Sequence, residues 1–271
     1  MKQKLTISIV TFNNQDSIKK ALDSIKHSTL TPTKVIVVDN SSSDGTAELV
    51  KSEFPEVTCI TSPNIGFGSS HNTAINSILG TADYHLVMNP DIYFARDVLE
   101  KLVEFMDTHG DVGLVMPKIL YPDNQLQYLC KLLPTPFDLM GRRFFPGFLK
   151  PLIQKRLHRY ELRDKNYDQI MEVPHLSGCF MLLRTDVLKQ VGLFDHRFFM
   201  YLEDVDLSRR IHTLNKTIYY PAVAVYHQYH KGSYKRWKHL KYHVQSAIKY
   251  FNKWGWYSDK ERKAINRGIL M

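Results

Sequence analysis

Four apolar runs in the first ninety residues each end on polar side chains, and helical patterns separate them. No other feature constrains the fold as tightly. KLTISIVTF (4–12) is β-branched and leads into Asn13, and TPTKVIVVDN (31–40) is apolar up to Asp39-Asn40-Ser41-Ser42. VTCIT (57–61) precedes Asn64-Ile65-Gly66, and DYHLVMN (83–89) stops at Asn89-Pro90-Asp91. Continuously apolar runs are typical of strands covered on both faces. The first helix between them has Ile18, Ala21, Leu22 and Ile25 at 3–4 spacing, and the second follows Asp44-Gly45 with Ala47, Leu49 and Val50. A third is predicted over Ser69–Leu79, and a fourth uses Val98, Leu99, Leu102, Val103 and Met106 with Gly110 as its stop. The βαβαβαβ order implies an α/β fold with a doubly wound, mostly parallel sheet and right-handed crossovers. Ligands bind beyond the carboxyl ends of such strands, so the four polar tips form the first candidate site.

The pattern then loosens, and residues 122–173 read as a proline-containing excursion with few clear strands. SGCFMLLR (177–184) is a buried strand, and TDVLKQVG (185–192) a short helix capped by Thr185. EDVDLSRRIHTLN (203–215) opens with three acids in its first turn, where the helix dipole favours anions. TIYYP and AVAVYH read as two strand pieces, and 236–253 as a helix with Trp237, Leu240, Val244, Ala247, Ile248 and Phe251 at 3–4 spacing. The expected organisation is one domain over 1–233, followed by a basic helical extension over 234–271. Within the domain, 1–121 is the ligand-binding half, 122–176 the excursion and 177–233 the second half.

An apolar fraction of 44% and a charged fraction of 23% exclude a disordered chain. No run of about 18 apolar residues exists, so no spanning helix is expected. The opening MKQKLTISIV is too short in its apolar part for an export signal, and a cytosolic location is expected. Cys59, Cys130 and Cys179 lack CxxC spacing and read as free thiols. The net charge of +9 is localised: residues 137–163 carry +5, residues 231–253 carry +7 without one acid, and the remainder is −3. Two basic patches on a slightly acidic body point to a localised anionic partner.

Several residues are candidates for chemistry. Asp39, before a Ser/Gly-rich turn, can accept the ring N–H of a pyrimidine, or the segment is a plain helix N-cap by Asn40, Ser41 or Asp44. Asp91, after Asn89-Pro90, can hold Mg²⁺ or Mn²⁺ against a diphosphate, or stand solvated in an ordinary turn. Glu203 and Asp204 are caps or, alternatively, a general base for a sugar hydroxyl. His227 and His230 are structural or close to a metal. Gly66-Phe67-Gly68-Ser69-Ser70-His71 lacks the third glycine of a dinucleotide fingerprint, and P-loop and nucleophile-elbow motifs are absent. A nucleotidyltransferase would carry a glycine-rich basic loop near its start, where TFNNQDS has neither glycine nor lysine. Tyr234, Trp237, Tyr242, Tyr250 and Trp254 among lysines raise a nucleic-acid binder, but they fall mostly at helical core spacing and leave the acids unexplained. No nucleic-acid partner is expected.

In order, SIVTFNN (8–14), VVDNSSSDGT (37–46), NIGFGSSHN (64–72), NPD (89–91), 177–211 and 227–256 resemble glycosyltransferase family 2. These are inverting GT-A enzymes, and the likeness is to the bacterial rhamnosyltransferase-like branch. It covers most of the chain outside the excursion. It implies a GT-A fold, with Thr11, Phe12, Asn13, Asp39 and Ser41 around the donor base. Asn64, Gly66, Phe67, Gly68 and Asn72 would form the nucleotide-sugar loop. Asp91 matches the last residue of the family's Asp-x-Asp metal motif, and Asp204, with Glu203, its catalytic base. Asn89 departs from the first metal-motif position, leaving Asp91 as the main carboxylate, with Asn89 and Pro90 at the donor. The family histidine corresponds to His227, or to His230. A divalent cation (Mg²⁺ or Mn²⁺), a nucleotide-diphosphate sugar donor (dTDP-L-rhamnose, then a UDP-sugar) and a lipid-linked saccharide acceptor follow from the resemblance. Leu152, Ile153, Leu157 and Tyr160, with Lys155, Arg156 and Arg159 around them, form a basic amphipathic segment suited to an anionic membrane surface. The expected location is the cytoplasm, peripherally on the inner face of the plasma membrane.

Overall fold

A computed structural model describes residues 3–139, 150–228 and 237–271. The first half alternates β1 (Gln3–Thr11), α1 (Gln15–Lys26), β2 (Lys34–Asp39), α2 (Thr46–Glu53), β3 (Thr58–Thr61), α3 (Phe67–Ile78) and β4 (Ala82–Met88). Then come β5 (Ile92–Phe94), α4 (Val98–Thr108), β6 (Val112–Leu120), α5 (Lys150–Tyr160) and β7 (Met171–Glu172). The chain continues through β8 (Phe180–Arg184), α6 (Thr185–Val191), α7 (Glu203–His212), β9 (Lys216–His227), α8 (Trp237–Trp254) and α9 (Lys260–Leu270).

Strand order is β3-β2-β1-β4-β8-β6-β9-β5, with β7 beside β9. β1 to β4 are parallel, as are β6 and β9, whereas β8 runs antiparallel to β4 and β6, and β5 and β7 antiparallel to β9. These directions decide where the chemistry collects. Thr11, Asp39 and Thr61 stand in one register row at the carboxyl edge. Antiparallel β8 brings its amino end to that edge, Phe180 opposite Met88. The carboxyl end of β9 meets the amino end of β5 there, His227 opposite Ile92. Strands of both directions thus deliver residues 89–91, 177–179 and 227 to one side of the sheet.

Both faces are covered. Ile7, Ile9 and Val37 pack with Ile18, Leu22 and Ile25 of α1, whereas Val10, Ile36 and Val38 pack with Ala74 and Ile78 of α3. The α3 face also buries a polar chain. Thr6 Oγ1 donates to the Tyr84 carbonyl (3.4 Å) and lies 2.8 Å from His85 Nδ1, while Ser8 Oγ lies 2.8 Å from His85 Nε2 and 2.7 Å from His71 Nδ1. Each hydroxyl has one proton, so the Thr6 donation makes both Nδ1 atoms donors and leaves His71 Nε2 bare and buried.

The structure departs from the sequence expectations locally. β5 and β6 carried no recognised pattern, α9 lies in the expected helical extension beyond its one predicted helix, and β9 is one strand where two pieces were expected. Its pairing with β6 jumps from Pro117–Tyr220 to Lys118–Ala224, so Pro221 lies in a bulge, where a missing N–H costs nothing. α3 starts at Phe67, two residues before the expected Ser69. Thr185 is the first residue of α6 instead of its cap, because its hydroxyl donates to the carbonyls of Ala82 and Asp83. On α8 the buried positions are Ser246, Ala247, Tyr250 and Phe251; Trp237 and Ile248 remain 87% and 44% exposed. The three cysteines are free thiols.

α8 and α9 pack against the loop that precedes α7. Ala247, Tyr250 and Phe251 share a core with Phe198, Leu202, Val205 and Leu133. Lys249 donates to the Arg197 carbonyl and Ser246 to that of Met200, and Lys253 bridges Asp195 and Asp206. Arg209, 1% exposed, binds Asp259 through two bonds (2.6 and 2.8 Å) and Glu261 at 2.6 Å.

Candidate active site

At the β1 and β2 tips, Thr11 Oγ1 and the Ser42 amide donate to the two oxygens of Asp39, both at 2.9 Å, and the side chain is 1% exposed. Asp39 therefore shapes the turn that follows it. Asn13 and Ser41 both adopt left-handed backbone (φ 57° and 60°), a conformation asparagine tolerates better than most residues. Asn13 accepts from the Ser43 amide, its own amide donates to Ser42 Oγ, and Ser41 Oγ donates to the Ser62 carbonyl. Phe12, 51% exposed, projects beside this turn.

The 64–72 segment is locked to the loop before α7. Asn64 Oδ1 accepts from the Gly66 amide, and the Phe67 amide donates to the Phe199 carbonyl at 2.9 Å. Gly66 has φ +97°, and a Cβ there would overlap the Phe199 backbone; a Cβ on Gly68 would meet Phe194 at 2.8 Å. The Asn72 amide donates to and accepts from the Phe194 backbone, at 2.7 and 3.0 Å.

At the β5–β9 corner, Asp91 Oδ1 stands 3.3 Å from His227 Nε2. Gln127 Nε2 donates to the carbonyls of Leu120 and His227, so its oxygen must be the atom facing His227 Nδ1 at 3.0 Å. Nδ1 then carries the proton, and the Nε2 lone pair points at the carboxylate. Two acceptors facing each other suit a cation between them. The Asn89 amide donates to the Cys179 carbonyl, tying the buried Pro90 turn to β8. His230 lies outside the described residues, and among them no group of three or more His, Cys, Asp or Glu forms a metal cluster.

The acids of α7 divide by direction. Tyr201 and Leu202, both left-handed (φ 72° and 67°), turn the chain sharply into the helix. Asp206 points inward to Arg210, Lys253 and Trp254. Asp204 Oδ2 accepts from the Gly178 amide at 2.9 Å and lies 3.6 Å from His175 Nε2. Burial pushes the Asp204 carboxyl up, but His175 and the Gly178 amide outweigh it and hold it below its ordinary value. Glu203, 5% exposed with Oε2 unpartnered, is pushed up to about 8 by burial and by Asp204 beside it. Adjacent carboxyls driven apart in this way, one keeping its proton and one ionised, mark an acid–base site.

Asn89, Phe67, Glu203, Asp204 and His227 line one cavity of about 720 Å³, together with Tyr128, Lys131, Glu161 and Arg163. Thr11, Phe12, Asn13, Asp39, Ser41, Asn64, Gly66, Gly68 and Asn72 are not among its lining residues. They form the adjoining edge of the sheet or pin the loop that carries Glu203. Sequence reasoning missed Gln127 and His175, both in the excursion, and Gly178, read only as part of a strand. No periodicity marks the first two. The one available signal was a polar residue flanked by apolar ones.

The fold is that of a GT-A glycosyltransferase, and comparison with known proteins agrees. The chain belongs to glycosyl transferase family 2, whose model matches residues 6–192. It is 27% identical over 260 residues to the N-acetylglucosaminyl-diphospho-decaprenol L-rhamnosyltransferase of Mycobacterium tuberculosis, covering 91% of this chain and 83% of that protein. It is 26% identical to the rhamnosyltransferase WbbL of Escherichia coli, with 90% and 91% covered. The mannosyltransferase PcManGT of Pyrobaculum calidifontis, solved with GDP-Man and Mn²⁺, superposes with a TM-score of 0.58 at 18% identity, covering 100% of this chain and 74% of that one.

Proposed function

We propose that this glycosyltransferase inverts configuration while moving L-rhamnose from dTDP-L-rhamnose to a lipid-linked saccharide of a bacterial surface polysaccharide. A UDP-sugar is the alternative donor. The observation that carries the transferase reading is that Asp204, Asn89 and His227 open on one cavity, with Asp91 against His227. The rhamnosyl donor and lipid-linked acceptor rest on what the two relatives are called.

Asp91 and His227 would hold a divalent cation, Mg²⁺ or Mn²⁺, and the Gln127-fixed tautomer fits that use. When bound, it supplies charge neutralisation to the departing nucleoside diphosphate. Asp204, ionised, accepts the proton of the acceptor hydroxyl as that oxygen attacks the anomeric carbon from the face opposite the leaving group. Glu203, protonated, adds no second negative charge beside it. The loops that follow β1 and β2, with the 64–72 segment, would hold the nucleoside.

A hydrolysis panel of nucleotide sugars with Mg²⁺, Mn²⁺ or chelator tests this. We expect dTDP-L-rhamnose to be preferred, chelator to abolish turnover, and Asp204→Asn to lose about 10²–10⁴-fold while still binding nucleotide. Near-normal turnover in that variant would remove Asp204 from the role.

Peripheral contact with the inner face of the plasma membrane is supported by exposed Lys155, Arg156 and Arg159 on α5, and by exposed Trp237 and Lys241 on α8. Among the described residues no helix is long and apolar enough to cross a membrane. Sedimentation with phosphatidylglycerol vesicles should carry the protein down and with phosphatidylcholine vesicles should not. Equal recovery with both lipids would remove the anionic-surface reading.

A further inference from the structure

The mechanism above leaves the buried imidazole of His175, beside the general base, without a use. His175 is 5% exposed, does not line the cavity, and neither ring nitrogen has a hydrogen-bond partner among the described residues. Leaving both nitrogens of a buried imidazole unsatisfied is costly, and such a group calls for an explanation. Its surroundings are rigid. The Val173 amide donates to the Thr217 carbonyl, the Lys131 amide to the His175 carbonyl, and Ser208 Oγ to the Leu176 carbonyl. Three residues on, the Gly178 amide donates to Asp204 Oδ2, the oxygen that His175 Nε2 faces at 3.6 Å. A Cβ on Gly178 would stand 3.1 Å from Asp204 Cβ, so a side chain there would crowd the carboxylate. Segment 175–178 is therefore a short cradle around one oxygen of the base.

Resting on the reading of Asp204 as general base, we propose that His175 is its positioning residue: a neutral imidazole, protonated on Nε2, that holds the carboxylate ionised and turned toward the cavity. The tautomer follows from electrostatics, since an Nε2 lone pair facing a carboxylate would repel it. Burial holds the imidazole below its ordinary value against the opposing pull of Asp204, which keeps it neutral. The 3.6 Å separation is too long for a hydrogen bond at rest. Catalytic contacts often tighten only once substrate is bound. The other groups that reach Asp204 are Glu203 on its own helix, Lys131 from the excursion, Tyr160 at the end of α5 and Cys179 before β8. Of these, Lys131 favours the ionised form together with His175, while Glu203, protonated, adds no charge beside it.

Two measurements on the full chain decide the matter without a known acceptor. In ¹⁵N-histidine spectra of the wild type, the His175 signal, assigned by its loss in His175→Gln, should report the Nε2–H tautomer; an Nδ1–H tautomer overturns the proposal. In carboxyl ¹³C spectra, the Asp204 signal, assigned with Asp204→Asn, should titrate about one pH unit higher in His175→Phe, because removing the N–H dipole that faces the carboxylate disfavours its charged form. His175→Gln, which keeps an N–H, should restore part of the shift. An unshifted Asp204 midpoint in a folded His175→Phe protein overturns the proposal, and should that variant fail to fold, the wild-type tautomer decides alone. The base reading fails separately, if Asp204→Asn hydrolyses nucleotide sugars normally.

Discussion

Gly66→Ala perturbs the loop that aims the acids without touching either of them. The residue has φ +97°, where an L side chain costs of order 1–3 kcal/mol. The new methyl would overlap the Phe199 carbonyl oxygen and stand 2.8 Å from Phe199 Cα. Ordinary carbon–oxygen contacts are about 3.3 Å or longer, so the loop must retreat by roughly 1 Å or the Phe67–Phe199 hydrogen bond must break. Such overpacking costs typically about 1–3 kcal/mol. Together about 2–6 kcal/mol is expected, a fall of roughly 4–10 °C in melting temperature for a chain of 271 residues. Phe199 lies two residues before the left-handed Tyr201-Leu202 pair that presents Glu203 and Asp204, so the retreat reaches the base. A misplacement near 1 Å can cost about 10²-fold in rate. Calorimetry and donor hydrolysis measure the two effects on one preparation, and nucleotide binding controls for the loops that follow β1 and β2, which should be less affected. A variant that melts within about 2 °C of wild type and turns over normally would refute the coupling of the 64–72 segment to the acids.

Two further outcomes follow from buried polar groups. Gln127→Leu removes the acceptor that fixes the His227 tautomer, and Mn²⁺ affinity measured by electron paramagnetic resonance should weaken by about 10–100-fold; unchanged affinity would separate His227 from the metal. Acid should destabilise the protein before its carboxylates protonate. Burial holds His85 down to about 3 and His71 well below its ordinary value, so both stay neutral when folded. Unfolded histidines gain protons below about pH 6.5, and each such group costs about 1.4 kcal/mol of stability per pH unit as the pH falls toward 3. Glu203, raised to about 8, acts oppositely: its folded form keeps a proton that the unfolded form loses above about pH 4.5, so it destabilises as pH rises through that window. These two histidines against that one acid, with His175 and His212 lowered in the same direction, leave a net loss of at least about 1 kcal/mol on going from pH 6 to pH 5. Urea midpoints at those two values measure it, and equal midpoints would contradict the neutral Thr6–His85–Ser8–His71 chain.

Much of this was legible in residue order because the information was local. The β1, β2 and β4 runs are apolar to their last residues, and the change to Asn13, Asp39 and Asn89 marks the ligand edge without any coordinates. Asp91 and Glu203-Asp204 stood out as charge on apolar ground. What escaped reading depends on pairing across long separations. β6 is interrupted by Gly113 and Pro117, and Pro221 divides β9 in the sequence, yet the two strands align because the bulge absorbs the break. His175 and Gln127 act through groups 29 and 100 residues away, Asp204 and His227, and nothing in their own neighbourhoods encodes that. Asp39 was legible as a buried strand-end acid, but its partners Thr11 and Ser42, which occupy both its oxygens, emerge only from the register.

The grip of α8 on residues 195–206 bears on how such enzymes can be recombined. Exchanging the stretch from 195 to 206 with that of a relative, to alter the sugar transferred, would strip Lys253 and Trp254 of the Asp195 and Asp206 side chains and leave the transplanted acids unsupported. The segment that carries the acids and the helix that ends the chain's long basic run therefore form one transferable unit, and a functional hybrid has to inherit both from the same parent.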